Sequence, residues 1–135
     1  METIVQNKTL EIFYKVIQRE RTIEDLITQV KKDKSLHADR YVFQAFCCAM
    51  LAKESKSYLQ KGKYIKQYAS FITKALTIDS DCTIARLIRY MIESKLEQVQ
   101  FTSHKEEDLE FLKEAAHTAE DQNLKQLILN TIQNA

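Results

Sequence analysis

With 135 residues, 44% hydrophobic and 29% charged, the chain is long enough for one core of ordinary size and too apolar to be disordered. One glycine and no proline exclude a turn-rich β fold and any Gly-rich phosphate loop, whose backbones depend on those residues. A formal charge of +1 gives no global attraction to nucleic acid or to a membrane surface.

In chain order, Met1-Glu2-Thr3-Ile4-Val5 has neither the basic nor the apolar region of a leader, so a cytoplasmic protein is expected. A chain whose signal peptide had been removed would look the same. Leu10, Phe13, Tyr14 and Ile17, widened by Ile12 and Val16, have helical spacing over residues 8 to 19. Arg19-Glu20-Arg21 is a polar break. Thr22 with Asp25 forms an Asp variant of the capping box, and Ile23, Leu26, Ile27 and Val30 follow at i, i+3, i+4 and i+7. Lys31, Lys32 and Lys34 suit the negative C-terminus of that helix. Residues 35 to 38 read as a short connection.

The central stretch is Tyr41 to Ala52, in which only Gln44 is strongly polar. A surface helix would interrupt such a run with charges, so this one, about 39 to 54, must be covered on most sides. It is too short to span a bilayer, which takes about 20 apolar residues. Residues 55 to 61 read as a polar loop with Gly62 just beyond. The next helix, about 63 to 78, carries Tyr64, Ile65, Tyr68, Phe71, Ile72, Ala75 and Leu76 on one broad face. Asp79-Ser80-Asp81 stops it and starts another, about 82 to 95, with Ile84, Leu87, Ile88, Met91 and Ile92 as its stripe. Leu96, Val99 and Phe101 extend this helix or form an irregular segment. Ser103 with Glu106 makes a capping box for a helix bearing Leu109, Leu112, Ala115, Ala116 and Ala119. Asn123 with Gln126 caps a last one bearing Leu124, Leu127, Ile128 and Ile132. The expectation is an all-α single domain over 1–135, with about six antiparallel helices in a superhelix or a compact bundle.

The stretch Lys74-Ala75-Leu76-Thr77-Ile78-Asp79-Ser80-Asp81-Cys82-Thr83-Ile84-Ala85 resembles the junction between tetratricopeptide repeats. Ala75 stands at the small position, Asp79 precedes the turn, and Ser80 replaces the usual proline. The helix pair at about 39 to 78 has the length of one repeat. The run from 39 to 111 also resembles small bacterial helical proteins of this repeat-like type, whose function is not established. The resemblance implies the fold, a right-handed array of antiparallel helix pairs, and an interaction or scaffold role.

Candidate chemistry is sparse. Cys47, Cys48 and Cys82 make no disulfide framework, since two are adjacent on a helix and the count is odd. The pair reads as apolar filler. Cys82, near a helix start, is the thiol better placed to react, although Asp79 and Asp81 oppose a lowered pKa. Glu114-Ala115-Ala116-His117 has the Glu-x-x-His spacing of di-iron bundles, and Glu120 and Asp121 lie close in sequence. The second copy and further carboxylates that such a site needs are missing, so a solvated acidic face is the plainer reading. No cofactor, no metal and no enzymatic motif is expected.

Charge is unevenly placed. From Lys53 to Lys74 there are six lysines against Glu54 alone, interleaved with Tyr58, Tyr64 and Tyr68. Such a segment can hold single-stranded nucleic acid, or it can simply solvate an outer face while the rings pack inward. From Glu106 to Asp121 there are seven acids against Lys113, so oppositely charged parts could meet in self-association. Arg86 and Arg89 share one side of their helix and either anchor a carboxylate of a neighbouring helix or form a fork for a partner's carboxylate. The candidate interaction surface is therefore Lys61, Lys63, Tyr64, Lys66, Arg86 and Arg89. The leading function is a protein-interaction or scaffold module binding an unidentified protein or peptide. Nucleic-acid binding through 53–74 is the less favoured alternative, and an enzyme with an unrecognised site near Arg86, Arg89 and the acidic helix is another. No membrane partner is expected.

Overall fold

The computed structural model describes residues 4–32, 37–96 and 104–134. The chain is all-α, as composition requires. Its helices are α1 (Ile4–Ile17), α2 (Ile23–Lys32), α3 (Ala38–Glu54), α4 (Tyr58–Ile78), α5 (Thr83–Leu96), α6 (Lys105–Thr118) and α7 (Gln122–Asn134). Among the described residues that makes seven helices and no strand, where about six helices were expected. No helix among them is long and apolar enough to cross a membrane. The chain divides into two compact units at Ser80/Asp81, inside the stop-and-restart signal read at 79–81.

In the first unit, α1 closes with a Schellman motif. Glu20 N–H donates to Lys15 O at 2.8 Å and Arg19 N–H to Val16 O at 3.0 Å. The motif needs a left-handed residue, and Arg19 supplies it at φ 64° although it is not glycine. α2 then starts from the expected box, with Asp25 N–H on Thr22 Oγ1 and Thr22 N–H on Asp25 Oδ2, both at 3.4 Å. Arg21 donates to the same carboxylate, and this hydrogen bond, with that from Thr22, holds the Asp25 carboxyl below its ordinary pKa.

α3 is covered on most sides, as its run of apolar residues demands. Nine of its residues are buried, among them Ala38, Ala45, Ala49 and Ala52, whose small side chains admit close neighbours. Phe13 of α1 fits between Phe43 and Phe46, with ring centroids 5.3 and 5.1 Å away. α4 folds back along α3 after a three-residue connection and buries Tyr68, Ile72 and Ala75. Its start differs from the sequence reading. Ser57 Oγ accepts the Gln60 N–H at 3.3 Å, so the helix begins at Tyr58 and takes in Gly62, which was expected beside a loop.

In the second unit, Leu87 and Tyr90 of α5, Leu112 and Ala116 of α6 and Ile128 of α7 form one apolar cluster. Met91, Leu109, Leu124, Leu127 and Ile132 pack against it. One start departs from expectation, that of α7. Ser103 and the segment holding Val99 and Phe101 lie outside the described residues. α6 begins after His104, which makes no side-chain cap. α7 is capped by Asp121 and not by Asn123: Asp121 Oδ1 accepts the Asn123 N–H at 2.9 Å and the Leu124 N–H at 3.4 Å.

Candidate interaction surface

The first two turns of α4 carry the most exposed large apolar side chains of the described residues. Tyr58 is 90% and Leu59 87% exposed. The core side of this helix is set by Tyr68, Ile72 and Ala75. At about 100° per residue, Leu59, Gly62, Lys63 and Lys66 fall on the opposite side. Ser57, Tyr58, Leu59, Gln60, Gly62, Lys63 and Lys66 line one open depression there. A Cβ added at Gly62 would meet nothing within 4 Å, and its φ is not positive. Neither a close neighbour nor backbone conformation within the chain explains this glycine.

The candidate residues separate by unit. Lys63 and Lys66 are exposed on the outer side of α4, while Lys61 and Tyr64 are half-buried. Tyr68 is wholly buried. Further along, Lys74 Nζ sits 5.0 Å from the centroid of the Tyr41 ring, which stacks on Phe71 at 6.4 Å. Leu59 was not singled out from the sequence, and Tyr58 was read only as one of the tyrosines among the lysines, because 55–61 read as loop. Ser57-Tyr58-Leu59-Gln60 has the Ser-x-x-Gln pattern of a capping box, and that was the signal for them.

Arg86 and Arg89, on α5, meet carboxylates of α6. Arg89 forks onto Asp108, Nε to Oδ2 at 2.8 Å and Nη2 to Oδ1 at 2.7 Å, and Nη2 reaches Glu107 Oε2 at 3.2 Å. Arg86 Nη1 lies 3.4 Å from Asp108 Oδ1 and 3.5 Å from Glu107 Oε1, with its guanidinium over the Phe111 ring at 4.8 Å. Asp108 is 0% exposed. Burial alone would pull the Arg89 pKa down. The hydrogen bonds and charge of Asp108, with the charges of Glu93 and Glu107, outweigh it and hold the guanidinium above its ordinary value. Beside this fork, buried Glu93 accepts the His104 N–H at 2.9 Å and faces His104 Nδ1 at 2.9 Å through the same oxygen. Asp108, Glu93 and His104 were not singled out from the sequence. Asp108 shares the stripe of Leu112 and Ala116 at i, i+4 and i+8, which marks it as inward-facing.

The remaining candidates carry no assembled chemistry. Cys47, Cys48 and Cys82 are free and buried. Burial, with Cys48 beside it, pushes the Cys47 thiol up to about 12, and burial raises Cys48 as well. Glu114, His117, Glu120 and Asp121 are exposed. Among the described residues no three His, Cys, Asp or Glu side chains converge to hold a metal ion.

Comparison with protein-family models, with curated proteins and with solved structures finds no match for the chain.

Proposed function

We propose that this protein is a protein-interaction module of tetratricopeptide-like build, and that the outer side of the first two turns of α4 is its contact face. The exposure of Tyr58 and Leu59 carries the reading. Two large apolar side chains left almost entirely in water beside Lys63 and Lys66 are what an anchor with a basic rim looks like before its partner arrives. The free thiols suit a reducing, cytoplasmic setting.

The nucleic-acid alternative loses support from the same segment. Tyr68 is buried and Tyr64 half-buried, so two of its three tyrosines are poorly placed to stack on bases. The enzyme alternative loses support at Arg86 and Arg89, whose guanidinium groups are taken up by Asp108 and Glu107.

Affinity capture from the native host tests the interaction reading, with the wild-type chain compared with Leu59→Glu and a remote control, Gln133→Ala. A partner lost only by Leu59→Glu is expected. Identical capture by all three would refute this face. For nucleic acid, Lys61, Lys63 and Lys66 changed together to Glu should abolish a steeply salt-dependent binding, and the absence of any binding at low salt removes that alternative.

A further inference from the structure

The α4 face is basic throughout: from Lys56 to Ile78 the helix and its approach hold no acidic residue. α6 shows the opposite character. Glu106, Glu110 and Glu114 are exposed at i, i+4 and i+8, on one side of that helix. Among the described residues, neither these carboxylates nor Lys63 and Lys66 make an ion pair. The two stripes are of opposite sign in a chain whose formal charge is only +1.

Resting on the reading of α4 as a contact face, we propose that its occupant is the acidic stripe of α6 on a second copy of the chain. The surfaces match in charge and in scale. Glu110 and Glu114 lie about 6 Å apart along their axis and Lys63 and Lys66 about 4.5 Å, close enough to pair along crossing helices. Gly62, next to Tyr58, Leu59 and Lys66 on the helix surface, leaves a gap among their side chains into which a side chain of an incoming helix can settle. A glycine inside an exposed helix is destabilising compared with alanine, and here close approach from outside accounts for it. The contact is heterologous, because different patches meet. It leaves one basic and one acidic face open on each pair, so association can continue. An interface on two helical turns is small, so the association is weak and salt-sensitive.

Sedimentation velocity on the full chain tests this over a range of concentrations at low and high salt. Wild-type protein should associate as concentration rises at low salt and dissociate as screening shortens to about 10 Å near 0.1 M and below that beyond it. Lys63→Gln/Lys66→Gln and Glu110→Gln/Glu114→Gln should each weaken self-association at least about tenfold. Mixed together, the two variants should form a one-to-one pair and stop there, since one keeps only the acidic face and the other only the basic one. Gly62→Leu should block association while its melting temperature is not lowered. A wild-type chain that stays monomeric throughout overturns the proposal, as does association that survives in both charge variants or a mixture that fails to pair. A monomer that instead binds polyglutamate or phosphatidylserine vesicles through Lys63 and Lys66 also overturns it, in favour of another acidic occupant. If the chain is monomeric while Leu59→Glu still loses a host partner, only this inference fails. If Leu59→Glu loses nothing, the face itself was misread.

Discussion

The Arg89 guanidinium grips the Asp108 carboxylate through two hydrogen bonds, 2.8 and 2.7 Å long, with the carboxylate fully out of solvent. Removing one partner of such a pair strands the other. Asp108→Ala should therefore cost about 3–5 kcal/mol, read from urea midpoints. Replacing both by apolar residues, Arg89→Met with Asp108→Leu, should leave the protein closer to wild type than Asp108→Leu alone. A single variant within about 0.5 kcal/mol of wild type would show that the pair does not hold α6 to α5.

Phe46 is 2% exposed and meets Phe13 edge-on at 5.1 Å. Phe46→Ala should lower stability by about 3–5 kcal/mol. The surface control Lys66→Ala should stay within about 0.5 kcal/mol. Equal denaturation midpoints for the two would misplace the core.

Two backbone positions should gain stability on substitution. Gly62→Ala adds a Cβ into open space and should raise stability by about 0.5–1 kcal/mol. Arg19→Gly relieves a left-handed φ of 64° and should raise it by up to about 1 kcal/mol, because the backbone bonds of the Schellman motif do not use the side chain. Thermal melts read both. A loss at Arg19→Gly would mean that its side chain contributes to the corner.

The junction between α4 and α5 gives a test of the repeat-like build. Ser80 lies in the turn, and Asp79 before it has φ −147° and ψ 99°, an extended conformation that a following proline accepts. Ser80→Pro should be tolerated. Ala75, 0% exposed, has no room for a larger side chain, so Ala75→Trp should cost at least about 1–3 kcal/mol. A destabilising Ser80→Pro with a harmless Ala75→Trp would count against the resemblance.

With the Cys47 thiol pushed up to about 12 and Cys48 also raised, neither is appreciably thiolate at pH 8. Cys82 is 6% exposed. Alkylation of the native chain at pH 8 should be slow at all three and should accelerate in urea along the unfolding curve. Fast native labelling at Cys47 would show that α3 opens locally.

Sequence patterning carried the helical class, the central position of α3, the Thr22–Asp25 cap and the stop at Asp79, because each rests on local periodicity or capping chemistry. It misjudged the start of α4, where lysines, serines and one glycine looked like loop although Ser57 and Gln60 form a helix start. It placed the last cap two residues late, at Asn123 in place of Asp121. The pairing of Arg86 and Arg89 with a neighbouring helix was readable as one of two options. Its partner was not, because Glu106-Glu107-Asp108 looks uniformly solvent-facing until the phase of α6 separates buried Asp108 from its exposed neighbours.

The fork between Arg89 and Asp108 also constrains alignment. Greasy contacts such as Leu87 with Leu112 tolerate a small slide or roll of one helix on the next, because one methyl group replaces another. A guanidinium and a carboxylate do not. Turning α6 by one residue would swing Asp108 about 100° away and bring Leu109 or Glu107 into its place, leaving Arg89 facing a hydrocarbon or a longer acid. The pair thus works as a keyed joint, admitting one rotational setting of α6 on α5 and rejecting its neighbours.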